Sequence, residues 1–235
     1  MNRAPLTPLR VDRRPLNLAR ILATISENVA VVDRQREPWA RYWDRWNAVH
    51  LQGRGPLWVA LGDSTSQGVG ARHPQRGFVP GALRLLWERD RPDWRLVNLS
   101  MTGARIRHVV DDQLTTMHRA GLCPDLVTCL IGVNDMIAGS TRHRISRDTD
   151  RLVAALPEGT IVGTLRERHP WRARKTALNA VLRRAADRGH LQLFDPWHWT
   201  VDEDALAADR FHPGDGGYRQ MALALDMALR GRLRG

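Results

Sequence analysis

Lysine is all but missing from this 235-residue chain. Lys175 is the single one, so 35 of the 36 basic residues are arginines. Cysteine is nearly as scarce. Cys123 and Cys129 are too few for a disulfide framework, and with no Cys-x-x-Cys neither a zinc ribbon nor a thioredoxin-like site is indicated. That usage fits a reducing compartment. No run of about 18 apolar residues occurs, so no transmembrane helix is expected. Arg3, Arg10, Arg13 and Arg14 precede an apolar stretch from Leu16, but Arg20, Glu27 and Asn28 interrupt it. No small-residue cleavage site follows, so a secretory signal is not indicated and the cytoplasm is the expected location. Gly-x-Gly-x-x-Gly, a P-loop lysine motif and His-Glu-x-x-His are all absent, as are internal repeats and low-complexity tracts.

What is present is enough apolar sequence, 43% of residues, to bury a real core in one large domain or two small ones. The chain carries a formal charge of +11, unevenly spread. Residues 1–55 hold 10 arginines against 5 acids, and residues 140–190 hold 12 basic residues against 5 acids. Residues 56–139 are near balance and 191–235 are slightly acidic. A basic excess invites a nucleic-acid or anionic-surface partner on an inactive scaffold. No nucleic-acid module accompanies it, so no nucleic-acid partner is expected and the arginines read as solvated helix faces.

Residues 1–54 read as a helical N-terminal extension, and 55–235 as the main domain. Leu16 to Val32 is apolar with helical spacing. Trp39, Tyr42, Trp43 and Trp46 then fall at i, i+3, i+4 and i+7, one stripe of a helix. Packing against the main domain is the plain reading of that stripe; a membrane-surface or oligomer contact is the sharper one. Gln52 to Pro56 closes the segment as a turn. Short apolar runs follow at Leu57–Leu61, Leu96–Leu99, Leu126–Ile131, Thr160–Leu165 and Leu191–Asp195. Helical patterns lie between and after them at Val79–Asp90, Arg105–Ala120, Thr149–Leu156, Arg172–Arg188 and Gly217–Arg232. This alternation predicts an α/β fold with a parallel sheet covered on both faces.

Ligands of such sheets sit beyond the carboxyl ends of the strands. The first run is followed by Gly62-Asp63-Ser64, the second by Ser100-Met101-Thr102-Gly103, and the third by Gly132-Val133-Asn134-Asp135. Asp209-Arg210-Phe211-His212-Pro213 precedes the last helix. Together they form the inventory for nucleophilic acyl transfer. A serine hydroxyl needs a base, which His212 can be, and an orienting acid, which Asp209 can be. The Ser64 and Gly103 backbone N–H groups and the Asn134 side-chain amide can serve a developing oxyanion. Asp63 and Asp135 read as turn-shaping residues. Ser66 has no motif behind it as a second nucleophile. His198 lacks the Pro-Gly context that follows His212, and its Trp197–Trp199 neighbourhood reads as packing. The segment Arg166–Arg174 opens on the same sheet edge and is a candidate pocket wall. An α/β-hydrolase elbow, Gly-x-Ser-x-Gly, is excluded by Gly62-Asp63-Ser64-Thr65-Ser66.

With these blocks in this order, residues 56–232 resemble the SGNH hydrolases, the GDSL-type esterases and lipases. The match rests on Leu61-Gly62-Asp63-Ser64, Gly103, Gly132 to Asp135, and Asp209-x-x-His212-Pro213 with Gly217-Tyr218 following. The run Gly-Asp-Ser-Thr-x-Gln-Gly-x-Gly is most similar to actinobacterial-type members. The resemblance implies a flavodoxin-like three-layer α/β/α sandwich with five parallel strands. It implies Ser64 as nucleophile, His212 as base, Asp209 as orienting acid, and Ser64, Gly103 and Asn134 as oxyanion donors, with no cofactor and no metal. The implied activity is hydrolysis of small to medium acyl esters. Thioesterase, carbohydrate deacetylase and acyltransferase chemistry can run on the same triad. One departure is Asp209-Arg210-Phe211-His212, where many members carry Asp-Gly-x-His.

Overall fold

Val, Ile, Leu and Trp fill the five short runs, which become strands β1 (Leu57–Gly62), β2 (Arg95–Asn98), β3 (Leu126–Leu130), β4 (Thr160–Gly163) and β5 (Leu191–Phe194). β1, β3 and β4 are buried along their whole length. That explains why they read as unbroken apolar runs rather than alternating ones, because a sheet covered on both faces hides both sets of side chains. The computed structural model describes residues 27–89, 93–197 and 205–233. All pairings are parallel in the order β2-β1-β3-β4-β5, with Val59 of β1 between Val97 of β2 and Val127 of β3. This is the flavodoxin-like order, as expected, and it places a switch point between β1 and β3.

Two helix layers cover the sheet. On one side α4 (Phe78–Arg89) packs along α10 (Asp215–Leu233), with Phe78 stacked on Tyr218 and touching Phe194. On the other, α8 (Arg142–Ala155) packs against α9 (Arg172–Asp187) and against the helix that follows β2. Three further helices are short: α1 (Glu27–Asp33) and α3 (Ser64–Gln67) early in the chain, and α7 (Val133–Ile137) after β3.

Two expected helices differ from the structure. The Arg105–Ala120 pattern is not one regular helix. It divides into α5 (Ile106–His108), a π-helical stretch Val109–Leu114 and α6 (Thr115–Arg119). The stretch turns Gln113 into the core, where its side chain bonds both backbone groups of Gly62. The Thr149–Leu156 pattern is only the apolar half of α8, which begins at Arg142 behind a Thr141 cap on the Arg144 N–H. Its first half has Ile145 as its one buried apolar anchor and is otherwise polar, with Arg144 and Arg147 paired to Asp148.

The aromatic stripe lies on α2 (Arg36–His50), and it packs against the sheet domain as the plain reading expected. β2 is an edge strand, and α2 closes that edge with side chains. Trp46 Nε1 donates to the Leu96 carbonyl at 3.1 Å, and the Leu96 N–H donates to His50 Nδ1 at 3.1 Å. Asn47 Oδ1 accepts the Asn98 N–H at 2.8 Å while its Nδ2 donates to the Asn98 carbonyl at 2.9 Å. An open strand edge invites pairing with another chain, and a helix that supplies the missing donors and acceptors removes that template. Most of the Leu16–Val32 pattern, and His198 and Trp199, lie outside the described residues.

Candidate active site

Ser64 stands where β1 ends and α3 begins. Asp63 is the N-cap: its Oδ1 accepts the Thr65 N–H at 3.0 Å and satisfies one of the donors a helix start leaves open. The Ser64 N–H is the first of that short helix and has no partner within it. Ser64 is almost buried. Its Oγ lies 2.9 Å from His212 Nε2.

His212 arrives on the loop before α10, tied down by its carbonyl accepting the Ala207 N–H at 2.9 Å and by a bridge between Leu206 and Pro213. Its Nδ1 lies 2.6 Å from Asp209 Oδ2. A carboxylate only accepts, so Nδ1 carries the proton and Nε2 is left to accept the Ser64 hydroxyl. Asp209 Oδ1 meanwhile accepts the N–H groups of Phe211 and His212, each at 3.0 Å. Burial alone would raise the Asp209 pKa; the bond and charge of His212 and these two N–H groups outweigh it and hold the carboxyl below its ordinary value. Arg210 takes a left-handed conformation (φ 53°) and is exposed, and Phe211 stays half exposed with its ring edge-on to the imidazole.

The structure also brings Gly103 and Asn134 to this edge. Gly103 has a φ of 79°, a conformation that side chains seldom adopt. Asn134, on α7, is buried; its Nδ2 donates to the Ala104 carbonyl at 2.9 Å and reaches Asp63 Oδ2 at 3.4 Å. The carboxamide is thus oriented by the residue that caps the serine turn and by the residue after Gly103. Asp63 and Asp135 shape turns: Asp135 Oδ2 accepts the Ile106 N–H at 2.9 Å. Burial pushes both carboxyls up to about 6. Ser66 is buried and its hydroxyl donates to the Leu61 carbonyl at 3.3 Å, so it is no exposed nucleophile. Among the described residues no cluster of three or more His, Cys, Asp or Glu side chains could hold a metal ion.

Residues 60–220 match the GDSL-like lipase/acylhydrolase family. The chain belongs to that family. No curated protein sequence matches it. Among solved structures, this GDSL-like hydrolase is similar to LAE5, an alpha/beta hydrolase enzyme from the metagenome of Lake Arreo, Spain. Identity is 25% over 75% of this chain and 95% of that one, with a TM-score of 0.58. TesA is 18% identical, covers 74% of this chain and 98% of its own, and has a TM-score of 0.63. Axe2, an acetylxylan esterase from Geobacillus stearothermophilus, is 22% identical in a catalytic variant over 75% and 95%, with a TM-score of 0.58. The last two likenesses speak to the shared α/β fold.

Two residues of this GDSL-like site had no voice in the sequence reading. Gln67 is fully buried and braces the serine turn against the Gly103 segment: Nε2 donates to the Ser100 carbonyl at 2.9 Å, and Oε1 accepts the Thr102 hydroxyl. Gln113 holds Gly62, one residue before the cap, with bonds of 2.8 and 2.7 Å. Gln67 is the glutamine of the Gly-Asp-Ser-Thr-x-Gln-Gly-x-Gly run, where no role was read for it and only its polarity in a buried turn could have marked one. Farther along the edge, the loop after β4 carries Arg166 and Trp171. Arg174 Nη1 donates to the Met136 carbonyl at 3.2 Å, and Lys175 donates to the Arg168 carbonyl at 3.2 Å, its ammonium 5.9 Å from the Trp171 ring centre.

Proposed function

We propose that this GDSL-family hydrolase cleaves carboxylic esters through an acyl-enzyme formed on Ser64. The hydroxyl oxygen attacks the acyl carbonyl while His212 Nε2 takes its proton, and Asp209 holds the imidazole tautomer and steadies the imidazolium. The oxyanion is received by the N–H groups of Ser64 and Gly103 and by the Asn134 carboxamide. Collapse expels the alcohol with the proton from His212. Water then gives a proton to His212 and attacks the acyl carbon, and collapse returns that proton to Ser64 Oγ as the acid is released. The hydrogen-bonded sequence Ser64–His212–Asp209 carries this reading.

The proposed substrates are small to medium acyl esters. Thioesters, carbohydrate acetates and a transferase reaction differ only in the leaving group or the second nucleophile, which the triad does not encode. The proposal treats residues 55–235 as the hydrolase domain, 1–54 as a helical extension, and the protein as a cytoplasmic, actinobacterial-type member. Two unpaired cysteines support the compartment, and no described helix is long and apolar enough to cross a membrane.

A fluorophosphonate probe followed by a p-nitrophenyl ester chain-length panel tests the reading. Wild type is expected to label and to turn over short esters, and Ser64→Ala to do neither. Labelling that persists in Ser64→Ala overturns the nucleophile assignment. Labelling without hydrolysis of any ester points to a transferase.

A further inference from the structure

The side chains of α2 do more than close the β2 edge. Trp43 Nε1 donates to the Gln67 carbonyl at 3.0 Å, and Trp39 Nε1 donates to the Gly68 carbonyl at 2.9 Å. Just before α2, Gln35 donates to the Ala71 carbonyl at 3.1 Å and accepts the Gly70 N–H at 2.7 Å. Every one of these partners is a backbone group of the turn that leaves Ser64. A helix C-terminus leaves carbonyls unpaired; here α2 supplies the partner of the Gln67 carbonyl and adds a second donor to the Gly68 carbonyl, which also accepts the Ala71 N–H at 3.1 Å. Gln67 then passes the constraint on, because its side chain is bonded to Ser100 and Thr102, immediately before Gly103.

We propose that the N-terminal helix α2 is a positioning element for the active site, with Trp43 and Trp39 as its positioning residues. They fix the serine turn, and through Gln67 they fix the spacing between the Ser64 and Gly103 N–H groups. An oxyanion site works only if its donors are held at the place where charge develops, and displacement by about 1 Å can cost a hundredfold. Trp46 is a matched control on the same helix. It makes the same kind of indole-to-carbonyl bond, but to the edge strand rather than the serine turn.

The proposal rests on the esterase reading for its kinetic arm only. Trp39→Phe and Trp43→Phe keep an aromatic ring and remove the donor; Trp46→Phe does the same at the control position. Expected are losses in kcat of roughly 3- to 30-fold for the first two, with KM within about twofold. Trp46→Phe is expected to lower Tm and leave kcat within about twofold. Equal kcat losses at all three positions, or losses that merely follow Tm, overturn the positioning role.

Hydrogen–deuterium exchange reads the same claim without substrate. In Trp43→Phe, peptides spanning 62–71 and 99–105 are expected to exchange faster than in wild type, while those of β4 and α9 do not change. In Trp46→Phe the acceleration is expected along β2 instead. No change at 99–105 in Trp43→Phe overturns the relay through Gln67, whatever reaction the enzyme catalyses. A wild type that neither labels at Ser64 nor hydrolyses esters overturns the esterase reading and leaves the exchange result to decide this one.

Discussion

Asn47 and Asn98 face each other as paired strand residues do, except that one of them is on a helix. The Asn47 carboxamide takes the Asn98 N–H and gives to the Asn98 carbonyl, and both residues are buried. Asn98 in turn donates to the Ser66 carbonyl at 2.8 Å and accepts the Ser100 N–H at 3.0 Å. Replacing Asn47 with alanine leaves two buried backbone groups of an edge strand without partners. Each such group costs about 1–3 kcal/mol. Asn47→Ala is therefore expected to lose about 2–4 kcal/mol in urea unfolding, and a loss below about 0.5 kcal/mol would sink the edge-closing account.

His212 and Asp209 should differ in what their removal does. His212→Ala takes away the proposed base, and kcat is expected to fall by about five to six orders of magnitude. Asp209→Asn leaves an imidazole of the wrong tautomer, with a loss nearer 10⁴-fold. Steady-state kinetics on the best ester of the panel decides it; near-full turnover without His212 rejects its role as base.

Asn134→Ala should act mainly on kcat. The carboxamide is set by Ala104 and Asp63 before any substrate arrives. Loss of one oxyanion donor costs about 10²- to 10³-fold in turnover with little change in ground-state binding. A rise in KM at constant kcat would instead make Asn134 a binding residue.

Asp63 gives a pH signature. Its carboxyl is buried, which moves it from 3.8 to about 6 in the folded protein. Between those values the native state holds a proton that the unfolded chain has lost, so stability falls as pH rises from about 4 to 6. Asp63→Asn can still cap Thr65 and removes that slope. The variant is expected to gain relative to wild type by about 1–3 kcal/mol above pH 6, with the gain fading toward pH 4. Thermal melts across pH 4–8 check this, and a gap that is constant over the range contradicts it.

The strands were legible because both of their faces are buried, which leaves apolar runs that need no partner to be noticed. Ser64, Gly103, Asn134, Asp209 and His212 were legible because each stands directly behind a run or before a helix, where the topology delivers it to one edge. What the sequence hid follows from distance. Gln35, Trp43 and Asn47 bond to backbone groups 24 to 51 residues away. Backbone partners carry no residue identity, so no motif can announce them. The tryptophan stripe announced burial, but indole N–H groups aimed at the serine turn are invisible to periodicity. The π-helical stretch was hidden for a related reason: Val109–Leu114 keeps ordinary helical composition, and only the inward Gln113 distinguishes it.

The contact between Lys175 and Trp171 also supplies an address. Apart from the α-amino group, an amine-reactive dye, crosslinker or activated surface meets a single primary amine in this chain. Burial and the neighbouring Arg166 hold that amine below the ordinary lysine pKa, which favours its nucleophilic form. Conjugation at Lys175 would therefore tether the protein by the first turn of α9, next to the loop after β4, on the sheet edge where Ser64 stands.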